Sequence, residues 1–122
     1  MLLSSDVYLV GMNLKMDLSK SGLSMFLKDY QYEALNVLWN SDTGLLSRAV
    51  WEQVNRNMPT TISRASIINY LNAMLEMGIL KGEDETGKGG HRTRYSPAMS
   101  KEELKVFLSE IVEKKLREMK ET

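Results

Sequence analysis

Thr61-Ile-Ser-Arg-Ala-Ser-Ile-Ile-Asn-Tyr-Leu-Asn-Ala-Met-Leu-Glu-Met-Gly-Ile-Leu80 reads as a capped amphipathic helix running directly into a strand. Ser63 is placed to act as N-cap, its hydroxyl accepting from a free amide of the first turn, and Gly78 stands where a helix end needs a left-handed residue. Between these caps Ile67, Leu71, Met74 and Leu75 recur at i, i+4, i+7 and i+8, which at about 100° per residue makes one apolar stripe. The opposite side carries Ala65, Ser66, Asn69, Asn72 and Ala73, with Arg64 in the first turn. Short side chains let a helix approach DNA closely, and an Asn69 amide both gives and accepts hydrogen bonds at a base edge. Tyr70 flanks the stripe, where packing and phosphate contact are both open to it.

Two strands are expected next, Ile79 to Asp84 and Arg92 to Ser96, joined by the glycine-rich turn Glu85-Thr-Gly-Lys-Gly-Gly-His91. Alternation puts Arg92 and Arg94 on one face and Thr93 and Tyr95 on the other, with Lys88 and His91 at the tip. Upstream, a helix is expected from Asp29 as N-cap to about Asn40, with Tyr32, Leu35, Leu38 and Trp39 on one face. After the loop Asn40-Ser-Asp-Thr-Gly44, Leu46, Val50 and Val54 define a second helix ending near Arg56, and Pro59 stops it. Two helices, a reading helix and a glycine-tipped basic hairpin occur in the order of a winged helix-turn-helix. The expected fold class is therefore α+β, mainly helical.

Ser100-Lys-Glu-Glu103 has the form of a capping box, so a C-terminal helix begins after Pro97. Leu104, Phe107, Leu108, Ile111, Val112, Leu116 and Met119 line it, and Glu110/Lys114 and Glu113/Arg117 are spaced as i,i+4 ion pairs. That apolar face is longer than a small domain covers, so these residues are the expected dimer interface. Met12, Leu14, Met16 and Leu18 alternate with polar residues in strand fashion, before a turn at Ser19-Lys-Ser-Gly22. This arm covers a sheet edge, exchanges with a partner, borders a ligand pocket or simply packs. The expected organisation is an N-terminal arm over 1–26, a winged helix-turn-helix domain over 27–98 and a dimerisation helix over 99–122.

Sixteen basic and sixteen acidic side chains cancel in the 122 residues, which excludes a polybasic protein that coats nucleic acid by bulk charge. Between Arg48 and Ala98, basic residues 48, 56, 64, 81, 88, 92 and 94 stand against acidic residues 52, 76, 83, 84 and 85, so any DNA contact relies on a local patch. With no cysteine and one histidine, thiolate and imidazole metal sites and disulfides are not expected, and no cofactor is implied. Nor is an enzyme, since there is no nucleophile elbow and Gly87-Lys-Gly-Gly90 does not complete a P-loop. The apolar run Val7 to Val10 is too short to span a membrane and lacks the basic flank of a signal peptide, so a cytoplasmic protein is expected. The nine methionines read as gap-fillers and both tryptophans as packing residues.

Leu27-Lys-Asp-Tyr-Gln-Tyr-Glu-Ala-Leu-Asn-Val-Leu-Trp39, with its closing Leu-Trp pair, resembles the first helix of the penicillinase-repressor family of winged-helix regulators. Ser63 to Gly78 with its Met-Gly-Ile-Leu exit resembles that family's recognition helix, and Tyr95-Ser-Pro97 the end of its wing. The similarity extends to multiple-antibiotic-resistance-type regulators. It implies a homodimeric repressor that binds palindromic double-stranded DNA, reading bases through Arg64, Ala65, Ser66, Asn69 and Ala73 and gripping the backbone through Ser63, Lys88, His91, Arg92 and Arg94. Control by proteolysis is not implied, because one short helix follows the wing. A small-molecule effector is left open. The alternative function is a winged-helix module for protein–protein contacts without DNA binding, which the acids Glu83, Asp84 and Glu85 favour.

Overall fold

The computed structural model describes residues 15–87 and 90–122. A 3-10 turn at Gly22–Met25 leads to helix α1 (Asp29–Trp39), strand β1 (Leu45–Leu46), α2 (Ser47–Asn57), α3 (Arg64–Glu76), strands β2 (Leu80–Gly87) and β3 (Gly90–Pro97), and α4 (Lys101–Glu121). The fold is α+β and mainly helical, with a three-stranded antiparallel sheet in the order β1-β3-β2. α1, α2 and α3 pack on one another and on the sheet, and Leu35, Leu38, Val50, Val54, Ile67 and Leu71 close the centre with no solvent exposure.

Local chemistry accounts for most of the boundaries. The Ser63 hydroxyl accepts from the Ser66 amide (3.0 Å), which starts α3. At its far end Gly78 takes a φ of 77°. There the Gly78 amide donates to Leu75 C=O (3.1 Å) and the Ile79 amide to Met74 C=O (3.0 Å), the paired bonds of a Schellman stop. α4 opens on the expected capping box, with the Glu103 amide donating to Ser100 Oγ (3.1 Å) and the Ser100 amide to Glu103 Oε1 (2.8 Å).

Several expectations are corrected. Asp29 is the first residue of α1 rather than its cap. Lys28 holds the cap position, and its amide donates to Gln31 Oε1 (2.9 Å). Leu46 belongs to β1, which pairs Leu45 with Tyr95 and Leu46 with Arg94, so α2 starts one residue later. Both hairpin strands are longer than expected, because pairing continues from Leu80↔Pro97 to Gly87↔Gly90 and absorbs most of the supposed turn. Of the expected N-terminal strand, residues 12–14 lie outside the described residues. Residues 15–18 form no strand, and Asp17 instead accepts from the Ser19 hydroxyl (2.6 Å) and amide (3.0 Å) in a tight turn.

α4 departs most from expectation. Leu104 and Leu108 are 0% and 2% exposed, packed in the core of their own chain, so they are not available to a partner. Phe107, Ile111 and Val112 are partly buried against the same core. The start of the helix is pinned by the Trp39 indole N–H donating to Met99 C=O (2.9 Å) and by the Lys101 ammonium 5.1 Å above the Tyr32 ring. Only the distal half projects: Leu116 and Met119 remain 49% and 46% exposed. Its ion pairs are Lys105–Glu102 (3.3 Å) and Lys115–Glu118 (3.4 Å), three residues apart. The expected Glu110–Lys114 and Glu113–Arg117 pairs are not among the ion pairs of the described residues.

Candidate nucleic-acid interface

The turn between α2 and α3 is held by a clasp. The Asn55 carboxamide accepts from the Ile62 amide (2.7 Å) and donates to Trp51 C=O (3.0 Å) and Ile62 C=O (3.2 Å). The Trp51 indole N–H donates to the same Ile62 carbonyl (2.9 Å). Residues 58–62 have no regular structure of their own, so these bonds fix where α3 begins relative to α2.

Ile67, Tyr70, Leu71 and Met74 form the buried side of α3. Tyr70 packs, edge-on to Tyr30 at 6.3 Å, and its hydroxyl is buried without a hydrogen-bond partner. Burial pushes its ionisation well above the ordinary tyrosine range. Ala65, Asn69, Asn72 and Glu76 are exposed and, at i, i+4, i+7 and i+11, form one outward row. Arg64 is exposed in the first turn, with no ion pair among the described residues. Ser66 is half-buried and accepts from the Ser63 hydroxyl (2.8 Å), so the cap uses the Ser63 proton. Ala73 is corrected: it is half-buried against the core and lies off the outward row.

The hairpin is where charge matters most. Register places Glu83 opposite Arg94, Glu85 opposite Arg92 and Lys81 opposite Ser96, so these charges share one face. Arg94 forks onto the Glu85 carboxylate through Nε and Nη2, and its Nη1 donates to Gly44 C=O (3.2 Å). The Arg94 hydrogen bond holds the Glu85 carboxyl below its ordinary range, and Glu85 in return raises the ionisation of Arg94. Arg94, expected to grip the DNA backbone, therefore ties the hairpin to the turn before β1. Gly44 suits that turn with a φ of 75°, and any Cβ there would meet Tyr95 O at 2.8 Å. Arg92 is exposed, its guanidinium filling the space that a side chain at Gly87 would need. His91 is exposed and pairs with Thr86 on the other face. Lys88 lies outside the described residues. The expected basic face is thus nearly balanced, with Lys81, Arg92 and Arg94 against Glu83 and Glu85.

On the inner face Tyr95 is 4% exposed, and its hydroxyl donates to Asn72 Oδ1 (2.7 Å), joining hairpin and helix. The lysines, arginines and asparagines were readable in the chain. The partners that commit Arg94 and Asn72 were not, because they depend on hairpin register and on how α3 sits against the hairpin, nor were those of Asn55, four and seven residues away across a turn with no regular pattern. Among the described residues no cluster of three His, Cys, Asp or Glu could hold a metal, and no helix is long and apolar enough to cross a membrane. Comparison with protein-family models, characterised proteins and solved structures finds no match.

Proposed function

We propose that this chain is a winged-helix regulator of transcription that binds double-stranded DNA in a sequence-specific way, acting as a homodimer on a palindromic site, in the manner of a repressor. The outward row Ala65, Asn69 and Asn72 on α3 carries the reading: short or amide-bearing side chains, exposed, beside the hairpin and free of larger neighbours on that row until Glu76. The element order α1-β1-α2-α3-β2-β3 and sheet order β1-β3-β2 are compatible with a winged helix, and the resemblance to the penicillinase-repressor family points the same way. Val112, Leu116 and Met119, spaced i, i+4 and i+7 on the projecting half of α4, would meet their equivalents in a second copy. Two α3 helices about 34 Å apart would then enter successive major grooves.

A second reading, a protein-contact module, draws on one observation: the near-balanced outer face of the hairpin, where Arg94 is committed to Glu85. Selection from random duplex DNA followed by salt titration separates the two. Three candidate cations per subunit, Arg64, Lys88 and Arg92, amount to six phosphates per dimer, so affinity should fall about a thousandfold between about 50 and 200 mM salt. A palindromic consensus with that slope supports the regulator. Absence of duplex binding at low salt would leave the protein-contact module.

A further inference from the structure

We propose that Tyr95 orients the Asn72 carboxamide so that it offers only N–H donors to DNA, making Asn72 a specificity-determining residue that selects guanine, with Tyr95 as its positioning residue. The inference rests on the DNA-reading function proposed above. An asparagine with no partner presents a donor and an acceptor side by side and matches adenine in a bidentate pair. Asn69, exposed and without a hydrogen-bond partner among the described residues, is such a residue. Asn72 differs, because its Oδ1 faces inward to the Tyr95 hydroxyl at 2.7 Å. The phenol donates and the carbonyl accepts, so Nδ2 is turned away from the hairpin, toward solvent.

The bond is fixed from behind by packing. The Tyr95 ring is 4% exposed, so its hydroxyl has no freedom to swing away. The approach of helix to hairpin depends on Gly82, which pairs with Tyr95 across the strands. A Cβ at Gly82 would fall 2.8 Å from Thr93 Cγ2 on the paired strand and 3.3 Å from Leu75 Cδ1 on α3, so a side chain there would crowd the junction of hairpin and helix. The row on α3 thus holds two asparagines one turn apart with different chemistry. Guanine, with O6 and N7 both acceptors in the major groove, suits a donor-only amide, whereas cytosine opposes it with another donor.

The test is selection from random duplex DNA by the full chain and by Tyr95→Phe, Asn72→Ala and Asn72→Asp, with folding checked by thermal melting. The wild type is expected to prefer guanine about tenfold at one position of each half-site. Tyr95→Phe keeps the ring but frees the amide, and should reduce that preference to about twofold while admitting adenine at the same position. Asn72→Asp keeps an acceptor for Tyr95 and turns the outward group into an acceptor, so the preference should move to cytosine; Asn72→Ala should abolish it. Asn72 is exposed, so the aspartate and alanine variants fold even if Tyr95→Phe does not. A consensus unchanged at every position in Asn72→Asp and Asn72→Ala would overturn the inference and leave the bond as a latch between helix and wing. A wild type that selects no sequence at all would overturn the DNA reading itself, and this inference with it.

Discussion

Truncation of Leu104 tests whether α4 is part of the domain or an appendage to it. The side chain is fully buried. Leu104→Ala deletes about three carbon groups at roughly 0.8 kcal/mol each in transfer terms, a little over 2 kcal/mol. A residual cavity adds to this, because the surrounding core relaxes only in part, and the total should reach about 3–4 kcal/mol. Leu116→Ala is the control. At 49% exposure, its truncation in an isolated subunit should cost under about 1 kcal/mol. Urea unfolding at two protein concentrations about a hundredfold apart separates core from interface, since a subunit contact makes the midpoint concentration-dependent and a core contact does not. The expected result is a large, concentration-independent loss for Leu104→Ala and, if the projecting half of α4 joins two copies, a loss of the concentration dependence for Leu116→Ala. A Leu104→Ala variant within about 0.5 kcal/mol of wild type would refute the packing of α4 into the core.

Asn55→Ala leaves the Ile62 amide without its acceptor while the Ile62 carbonyl keeps Trp51, so urea unfolding should report a loss of about 1–2 kcal/mol. Duplex affinity should fall by more than the unfolded fraction explains, because α3 loses its fixed start; equal falls would reduce Asn55 to a stability role. Burial holds Tyr70 and Tyr95 protonated above the ordinary tyrosine value of 10.0. The unfolded chain releases those protons first, so stability is complete below about pH 10 and declines above it. Urea midpoints that stay level through pH 11 would contradict this. Tyr70→Phe should flatten the decline and, by removing an unpartnered buried hydroxyl, raise stability at neutral pH by about 1 kcal/mol.

The elements legible in the chain were those whose causes are local. Ser63, Gly78 and the Ser100/Glu103 box act within four residues, and each does in the structure what its chemistry predicts. β1 was invisible because two leucines carry no period and look like the first turn of α2; only pairing with β3 makes them a strand. The hairpin is legible in the chain, but its charge balance is not. Counting residues gave a basic face, while register set Glu83 and Glu85 directly across from the arginines. In α4 the apolar spacing was correct and its partner was not: Leu104 and Leu108 meet the same chain. The outward face of α3 was legible as a row. Its inward commitments, Ala73 to the core and Asn72 to Tyr95, depend on how α3 sits on the sheet.

Among the described residues the sheet order leaves two edges, and each is poorly suited to accept a strand from another molecule. On one side β1 ends after two residues, too short a template for continued backbone pairing. On the other, β2 carries Lys81, Glu83, Asp84 and Glu85, whose charges a docking strand would have to face at close range. Edge-to-edge growth into ladders or fibrils is thereby opposed on both sides of a small sheet. The dimer proposed above would use the helical surface of α4 instead, a contact between two copies that closes on itself.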